Sequence, residues 1–239
     1  MPETTNASEV EDFPVFAVTV DVVVFAVIGG DLHVALIERG VEPFAGAWAL
    51  PGGFKRPDET LTEAASRELG EETGVSSEGL RQFGAFGDPG RDPRGNVVTI
   101  GFYAVVEQPP DLAAGTDAAS ASYWPVRALL GREIPLAFDH FDILSEAHTH
   151  LCQELERSDL IKHFLPSEFT IRDLQEVYEA VWGCQLDPSN FRRSLEYQSS
   201  AWVESVPEGR IETARRGRPP KLFRFSGDWK LGGPIKRPV

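Results

Sequence analysis

The sequence predicts an α/β fold followed by a second, smaller domain, on three observations. Valine-rich runs with the period of strands flank one helix that carries capping signals at both ends. After residue 166 the pattern changes to two short helices and then two short strands, and these lie in a basic block. With 239 residues, 41% of them hydrophobic, the chain can bury one substantial core and a second, smaller one. We divide it into an acidic flexible tail at 1–12, an α/β domain at 13–138, a linker-helix region at 139–166 and a small helical domain with a hairpin at 167–239.

Residues 16–28 are rich in valine and phenylalanine, Gly29-Gly30-Asp31 follows as a turn, and 32–38 alternate as a second strand, which together read as a hairpin. Residues 39–51 form a loop whose Trp48 and Leu50 are core anchors rather than ligand contacts. Residues 53–75, GFKRPDETLTEAASRELGEETGV, carry the chemistry. Thr60 followed by Glu63 is a capping box, so a helix starts near Leu61 and runs to Thr73, with Gly74 as its left-handed stop. Glu68, Glu71 and Glu72 fall on one face of that helix, and carboxylates so close repel unless a cation lies between them. Hard oxygen donors of this kind suit Mg2+ or Mn2+ together with substrate phosphates. Three glutamates alone read more simply as a solvated acidic face.

The surrounding residues change that reading. Gly53, then Glu59, then Arg67-Glu68-Leu69-x-Glu71-Glu72-x-Gly74-Val75 resembles the Nudix box at every defined position. The resemblance implies a Nudix αβα sandwich whose loop-helix-loop holds metal ions against a diphosphate joined to another group. Carried over residue by residue, it makes Gly53, Glu68, Glu71 and Glu72 the metal donors, with Gly53 acting through its backbone carbonyl. It makes Glu59 a supporting acid and Arg67 the residue that orients the glutamates. If the bound ligand is hydrolysed, Glu72 serves as general base, with Glu71 and Arg67 beside it.

Residues 80–86 and 97–107 read as further strands. Between them, GDPGRDPRGN at 87–96 is a turn by composition, and its Arg91 and Arg94 are equally candidates to clamp a diphosphate or terminal ribose. The Ala/Ser/Thr-rich stretch up to Ser122 reads as an exposed loop, and 123–126 as a strand returning to the core. Residues 138–157 have a helical stripe of Phe141, Leu144, Ala147 and Leu151, and we place the end of this long helix at Leu165-Pro166-Ser167. His140, His148 and His150 do not share one helix face, so they read as packing or solvated residues rather than a zinc site. Cys152 and Cys184 show no metal-ligand spacing and are assigned no role.

In the last third, Thr170 with Asp173 caps a helix closing at Gly183, and Asp187-Pro188 opens a second one. Two short helices joined by a tight turn suggest a helix-turn-helix, in which the second helix enters the major groove. That points to Ser189, Asn190, Arg192 and Arg193 as DNA-binding residues. Residues 202–206 and 221–226 complete a strand-turn-strand wing, so 167–239 reads as a winged helix-turn-helix domain. Inside the wing, Arg215-Arg216-Gly217-Arg218-Pro219-Pro220-Lys221 resembles the Arg-Gly-Arg-Pro core of minor-groove AT-hook segments, which adds Arg215, Arg216, Arg218 and Lys221.

Net charge is −14, yet residues 192–239 hold eleven basic against five acidic residues and are +6, which leaves −20 for the rest. A basic block on an acidic chain points to a nucleic-acid contact confined to that block. The N-terminus is acidic where a signal peptide would be basic and then apolar, and the most apolar run is too short to span a bilayer, so a cytoplasmic protein is expected.

The α/β domain with its intact box, the linker at 136–140, the helix FTIRDLQEVYEAVWG, Asn190-Phe191-Arg192-Arg193 and the Gly217-Arg218-Pro219 wing together resemble the Nudix-related transcriptional regulators of bacterial NAD metabolism. The resemblance implies a homodimer that represses genes of NAD synthesis or salvage and releases its double-stranded DNA operator when ADP-ribose occupies the Nudix pocket. The alternative is a Mg2+-dependent pyrophosphohydrolase of ADP-ribose or another nucleoside diphosphate derivative.

Overall fold

The computed structural model describes residues 14–76, 79–112, 118–198, 203–206, 220–226 and 235–237. Strand β1 (Ala17–Ile28) is buried along eight consecutive positions, because it lies at the centre of a seven-stranded sheet covered on both faces. Its side chains divide by the period of two: Val20, Val22 and Val24 enter one core cluster, and Val23 and Phe25 enter the other.

A turn at Gly29 and Gly30, both at positive φ, joins β1 to antiparallel β2 (Asp31–Arg39). Short strands β3 (Trp48–Ala49) and β4 (Gly52–Phe54) follow and pair with β2 and β1. Helix α1 (Leu61–Thr73) comes next, then β5 (Arg81–Phe86) and β6 (Val97–Val106), the latter running parallel to β1. Strand β7 (Ala118–Pro125) pairs with β2 and leads into α2 (Val126–Leu130), which has no counterpart in the sequence reading.

Helix α1 covers one sheet face with Ala64, Ala65 and Leu69 against Val20, Val22, Val24 and Phe102. The other face carries α2 and α3 (His140–Arg157), whose Ile143, Leu144, Ala147 and Leu151 meet Val23, Phe25, Val34 and Leu36. This is the αβα sandwich.

Two expectations change. The Ala/Ser/Thr-rich stretch before Ser122 is not a loop from Ala118 onward: it is the first half of β7, held by the exposed edge of β2 and by Ser120 donating to Glu38 at 2.8 Å. Small side chains fit that register, so pairing overrides their weak strand propensity. The long helix ends at Arg157 rather than near Leu165. Ser158 is extended and turns its hydroxyl to the Glu154 carbonyl at 3.0 Å, and a separate 3-10 turn, Leu160–Phe164, follows.

The C-terminal unit consists of α4 (Ile171–Trp182), α5 (Pro188–Gln198) and the paired strands β8 (Val203–Ser205) and β9 (Phe223–Phe225). Phe169 joins this hairpin through two backbone bonds to Phe223, at 2.9 and 2.8 Å. The core of the unit, built from Phe169, Leu174, Val177, Tyr178, Phe191 and Leu195, is continuous with the α3 side of the sandwich. Among the described residues no helix is long and apolar enough to cross a membrane.

Candidate functional site

Local sequence explains the first site. Thr60 accepts from Glu63 N–H at 3.2 Å while the Glu63 carboxylate takes the Thr60 N–H at 2.7 Å, so α1 starts where the capping box predicts. Gly74, at φ 73°, ends the helix. The β1–β4 pairing sets Gly52 opposite Asp21 and Gly53 opposite Val20, which lays the double glycine across the acidic face of α1. Neither glycine has room for a side chain. A Cβ on Gly52 would strike the Val20 carbonyl and Asp21 Oδ1, and one on Gly53 would strike the Glu68 carboxylate.

Arg67 lies at the centre of the glutamates. Its guanidinium forks onto Glu59 at 2.9 and 2.7 Å, reaches Glu68 at 2.7 Å and Glu71 at 3.2 Å, and donates to the Phe54 carbonyl at 3.1 Å. The bond from Arg67, helped by the Arg56 N–H, holds Glu59 down at about 2. Burial raises the Glu68 carboxyl, with Arg67 opposing. At Glu72 burial, with Glu68 and Asp21 adding repulsion, outweighs the Gly52 N–H bond at 2.9 Å and the more distant charge of Arg39, and pushes the carboxyl up to about 7.

The donor chemistry fits a divalent cation. Glu68 and Glu72 bring carboxylate oxygens to the Gly52-Gly53 backbone, and burial disfavours the charge of both. The expected donors Gly53, Glu68, Glu71 and Glu72 share one region but do not close on one point. Among the described residues no group of three or more Asp, Glu, His or Cys side chains is set to hold a metal, because Arg67 gathers Glu59, Glu68 and Glu71 while Glu72 rests on Gly52.

Beside the glycines lies a cleft lined by Asp21, Arg39, Arg91, Arg94, Phe138 and His140 among others. Neither Arg91 nor Arg94 presents a free fork to a diphosphate. Arg91 is buried with both arms on Asp139, at 2.7 and 2.6 Å. Arg94 pairs with Asp92 at 2.6 Å and stacks 4.8 Å from the Phe54 ring centroid. Burial works against the charge of Asp92, yet the Arg94 side chain and N–H hold its pKa below the ordinary value. His140 accepts from the Leu50 N–H through Nδ1 at 2.9 Å, which leaves its proton on Nε2, 3.5 Å from Asp21 Oδ1. Burial keeps this imidazole neutral by lowering its pKa.

Sequence reasoning assigned no function to Asp21, Arg39, Asp139 or His140. The available signal was Asp21 itself, an acid inside an otherwise apolar run, since a buried carboxylate needs partners.

The second site is on the C-terminal unit. Thr170 and Asp173 form a reciprocal capping box, Gly183 stops α4 at φ 64°, and Asp187 caps α5 by accepting from Asn190 N–H at 2.8 Å. Phe191 and Leu195 point into the core, which leaves Ser189, Asn190, Arg192 and Arg193 exposed on the opposite face. Arg192 and Lys221 border a cavity of about 700 Å³ together with Arg172, an exposed residue of the first turn of α4 that the sequence reading omitted. Arg215, Arg216 and Arg218 lie outside the described residues.

Fold and sites together define the class: a Nudix domain carrying a DNA-binding winged helix. Residues 17–147 match the NUDIX domain and residues 161–225 match the NrtR DNA-binding winged helix domain, so the chain belongs to the Nudix family, in its NrtR-type branch. It is 33% identical over 217 residues to the ADPR responsive transcriptional repressor NtrR of Acinetobacter baylyi, covering 90% of this chain and 84% of that one. Over 125 residues it is 40% identical to an ADP-ribose pyrophosphatase of Methanocaldococcus jannaschii, covering 52% of this chain and 71% of that one. Shewanella oneidensis NrtR complexed with a 27mer DNA is 31% identical with a TM-score of 0.68, covering 87% of this chain and 93% of that one. The NUDIX domain of the same Shewanella protein, complexed with ADP ribose, is 31% identical with a TM-score of 0.55, covering 62% of this chain and 99% of that one. Nudix hydrolases as a family use divalent metal ions.

Proposed function

We propose that this protein is a DNA-binding transcriptional repressor of NAD synthesis or salvage genes, acting as a homodimer in the cytoplasm, with ADP-ribose as the effector of its Nudix domain. The observation that carries the reading is similarity across both domains to a repressor named as ADPR responsive, together with basic residues exposed on the second helix of the winged unit. Ser189, Asn190, Arg192 and Arg193 contact DNA from α5, and Arg215, Arg216, Arg218 and Lys221 reach it from the wing segment. Effector binding favours an arrangement of the recognition helices that no longer matches the operator, because a ligand that binds both states equally shifts nothing. The test is fluorescence anisotropy on DNA upstream of the protein's own gene and of NAD-synthesis genes. Binding that is lost on adding ADP-ribose is expected; binding indifferent to ADP-ribose would sink the effector assignment.

The complete box favours a second activity at the same site: ADP-ribose plus water giving AMP and ribose 5-phosphate. Gly53, Glu68, Glu71 and Glu72 would hold Mg2+ or Mn2+. When bound, that ion neutralises diphosphate charge and acidifies the attacking water. Arg67 and Glu59 orient the glutamates, and Glu72 accepts the proton from the attacking water. Product analysis with Mg2+ at high protein concentration decides this: AMP formed by the parent and lost in Glu72→Gln supports hydrolysis, and no AMP leaves the domain as a sensor.

A further inference from the structure

The cleft and the DNA-binding unit are linked through the N-terminal end of α3, which is held in an uncommon way. Asp139 occupies the N-cap position, where an aspartate ordinarily accepts from free N–H groups of the first turn. Here it makes no capping bond. Its backbone stands at φ −96° and ψ 20°, away from the extended N-cap conformation, and both carboxylate oxygens are on Arg91. The residue before it, Phe138, is left-handed at φ 52°, a strained state that a bulky side chain keeps only where its surroundings impose it. Arg91 also borders the cleft, 3.7 Å from Asp21. The cleft measures about 50 Å³, room for a water or two, so a phosphate entering it has to displace groups already there.

We propose that the Arg91–Asp139 pair is a latch: a diphosphate entering the cleft draws Arg91 away, Asp139 turns to cap α3, Phe138 leaves its left-handed state, and α3 shifts against α4. This rests on the reading of an ADP-ribose-responsive repressor and names the pair through which the response travels. Asp139 is then a positioning residue that acts through Arg91, the group the diphosphate engages. The shift reaches the DNA-binding unit because Leu151, Cys152 and Leu155 of α3 share one packed cluster with Leu174, Val177 and Val181 of α4. His148 adds a direct tie, its Nε2 lying 2.8 Å from the Val181 carbonyl. Packed elements of this kind move between discrete arrangements, since close packing resists continuous deformation.

Asp139→Asn removes the charge and keeps the shape. DNA affinity is read by anisotropy on a duplex enriched against the parent protein by in-vitro selection, and ADP-ribose affinity by calorimetry, each without and with the other ligand. The variant is expected to bind the duplex about tenfold more weakly in the absence of ADP-ribose and to bind ADP-ribose more tightly by a similar factor, because coupling between two binding equilibria is reciprocal. Arg91→Lys, which keeps the charge and loses the fork to Asp139, weakens duplex binding in the absence of ADP-ribose by a smaller factor, and circular dichroism melts show that the variants fold. A folded Asp139→Asn protein with parental affinities and parental release overturns the latch; should that variant not fold, the duplex affinity of Arg91→Lys without ADP-ribose decides, and a parental value there overturns the latch. A parent that binds the duplex and ignores ADP-ribose refutes the effector reading, and the latch falls with it.

Discussion

Replacing Glu72 by glutamine is expected to stabilise the metal-free protein above neutral pH. The Glu72 carboxyl has a pKa of about 7 in the fold, against 4.5 for an ordinary glutamate, chiefly because it is buried. Below pH 4.5 both folded and unfolded chains hold the proton, and the site costs nothing. As pH rises from there to about 7, the unfolded chain gives up its proton first, so stability falls across that window and the full penalty applies above it. A gap of about 2.5 pH units corresponds to about 3 kcal/mol, a sizeable part of the stability of an ordinary domain. Glutamine is nearly isosteric and its carbonyl can still accept from the Gly52 N–H. Urea unfolding with a chelator present, at pH 4.5 and pH 8, measures the effect. The parent should lose on the order of 3 kcal/mol more than the variant between the two, and added Mg2+ at pH 8 should restore stability to the parent alone. Equal pH dependence in the two proteins would show that Glu72 is not desolvated as described.

Arg192→Ala with Arg193→Ala should abolish tight DNA binding, and any residual binding should show a log K against log salt slope shallower by about 0.9 for each phosphate no longer neutralised, as a salt titration will show. Gly52→Ala should destabilise by about 2 kcal/mol because its Cβ meets backbone, whereas Gly53→Ala should cost less, about 1 kcal/mol, because it meets the end of the Glu68 side chain, which can turn aside at the loss of its Arg67 bond; urea midpoints distinguish them. Leu151→Ala, at a fully buried position between sheet and α4, should cost roughly 2 to 5 kcal/mol and move the unfolding of both halves together, seen as one transition by tryptophan fluorescence and circular dichroism.

Features specified by neighbours in sequence were legible from the chain alone. The ends of α1 follow from Thr60, Glu63 and Gly74, and those of α4 from Thr170, Asp173 and Gly183, because capping is settled within a few residues. The winged unit could be read for the same reason, with Asp187 and Pro188 opening α5. Features that depend on distant partners were not. Residues 118–122 become strand only because β2 offers an edge, and nothing local announces that. Arg91 looked available because its partner, Asp139, lies 48 residues further on, and the neutral His140 beside Asp21 depends on folding that no spacing rule describes. In the glutamate cluster, periodicity placed the acids on one face and the box assigned Arg67 to orient them; what depends on β4 is the bond from Arg67 to the Phe54 carbonyl, which ties the guanidinium to the strand.

The unbroken core that runs from β1 through α3 to α4 and β8 has an evolutionary meaning. A segment cut out between the two family matches, at residues 148–160, would leave Leu174, Val177 and Val181 without the α3 residues that cover them. Recombination that swapped one module for a relative's would have to carry α3 along or rebuild its surface. Changes in DNA-binding specificity are therefore expected to be tolerated more readily as substitutions on the exposed face of α5 than as exchange of the whole winged unit.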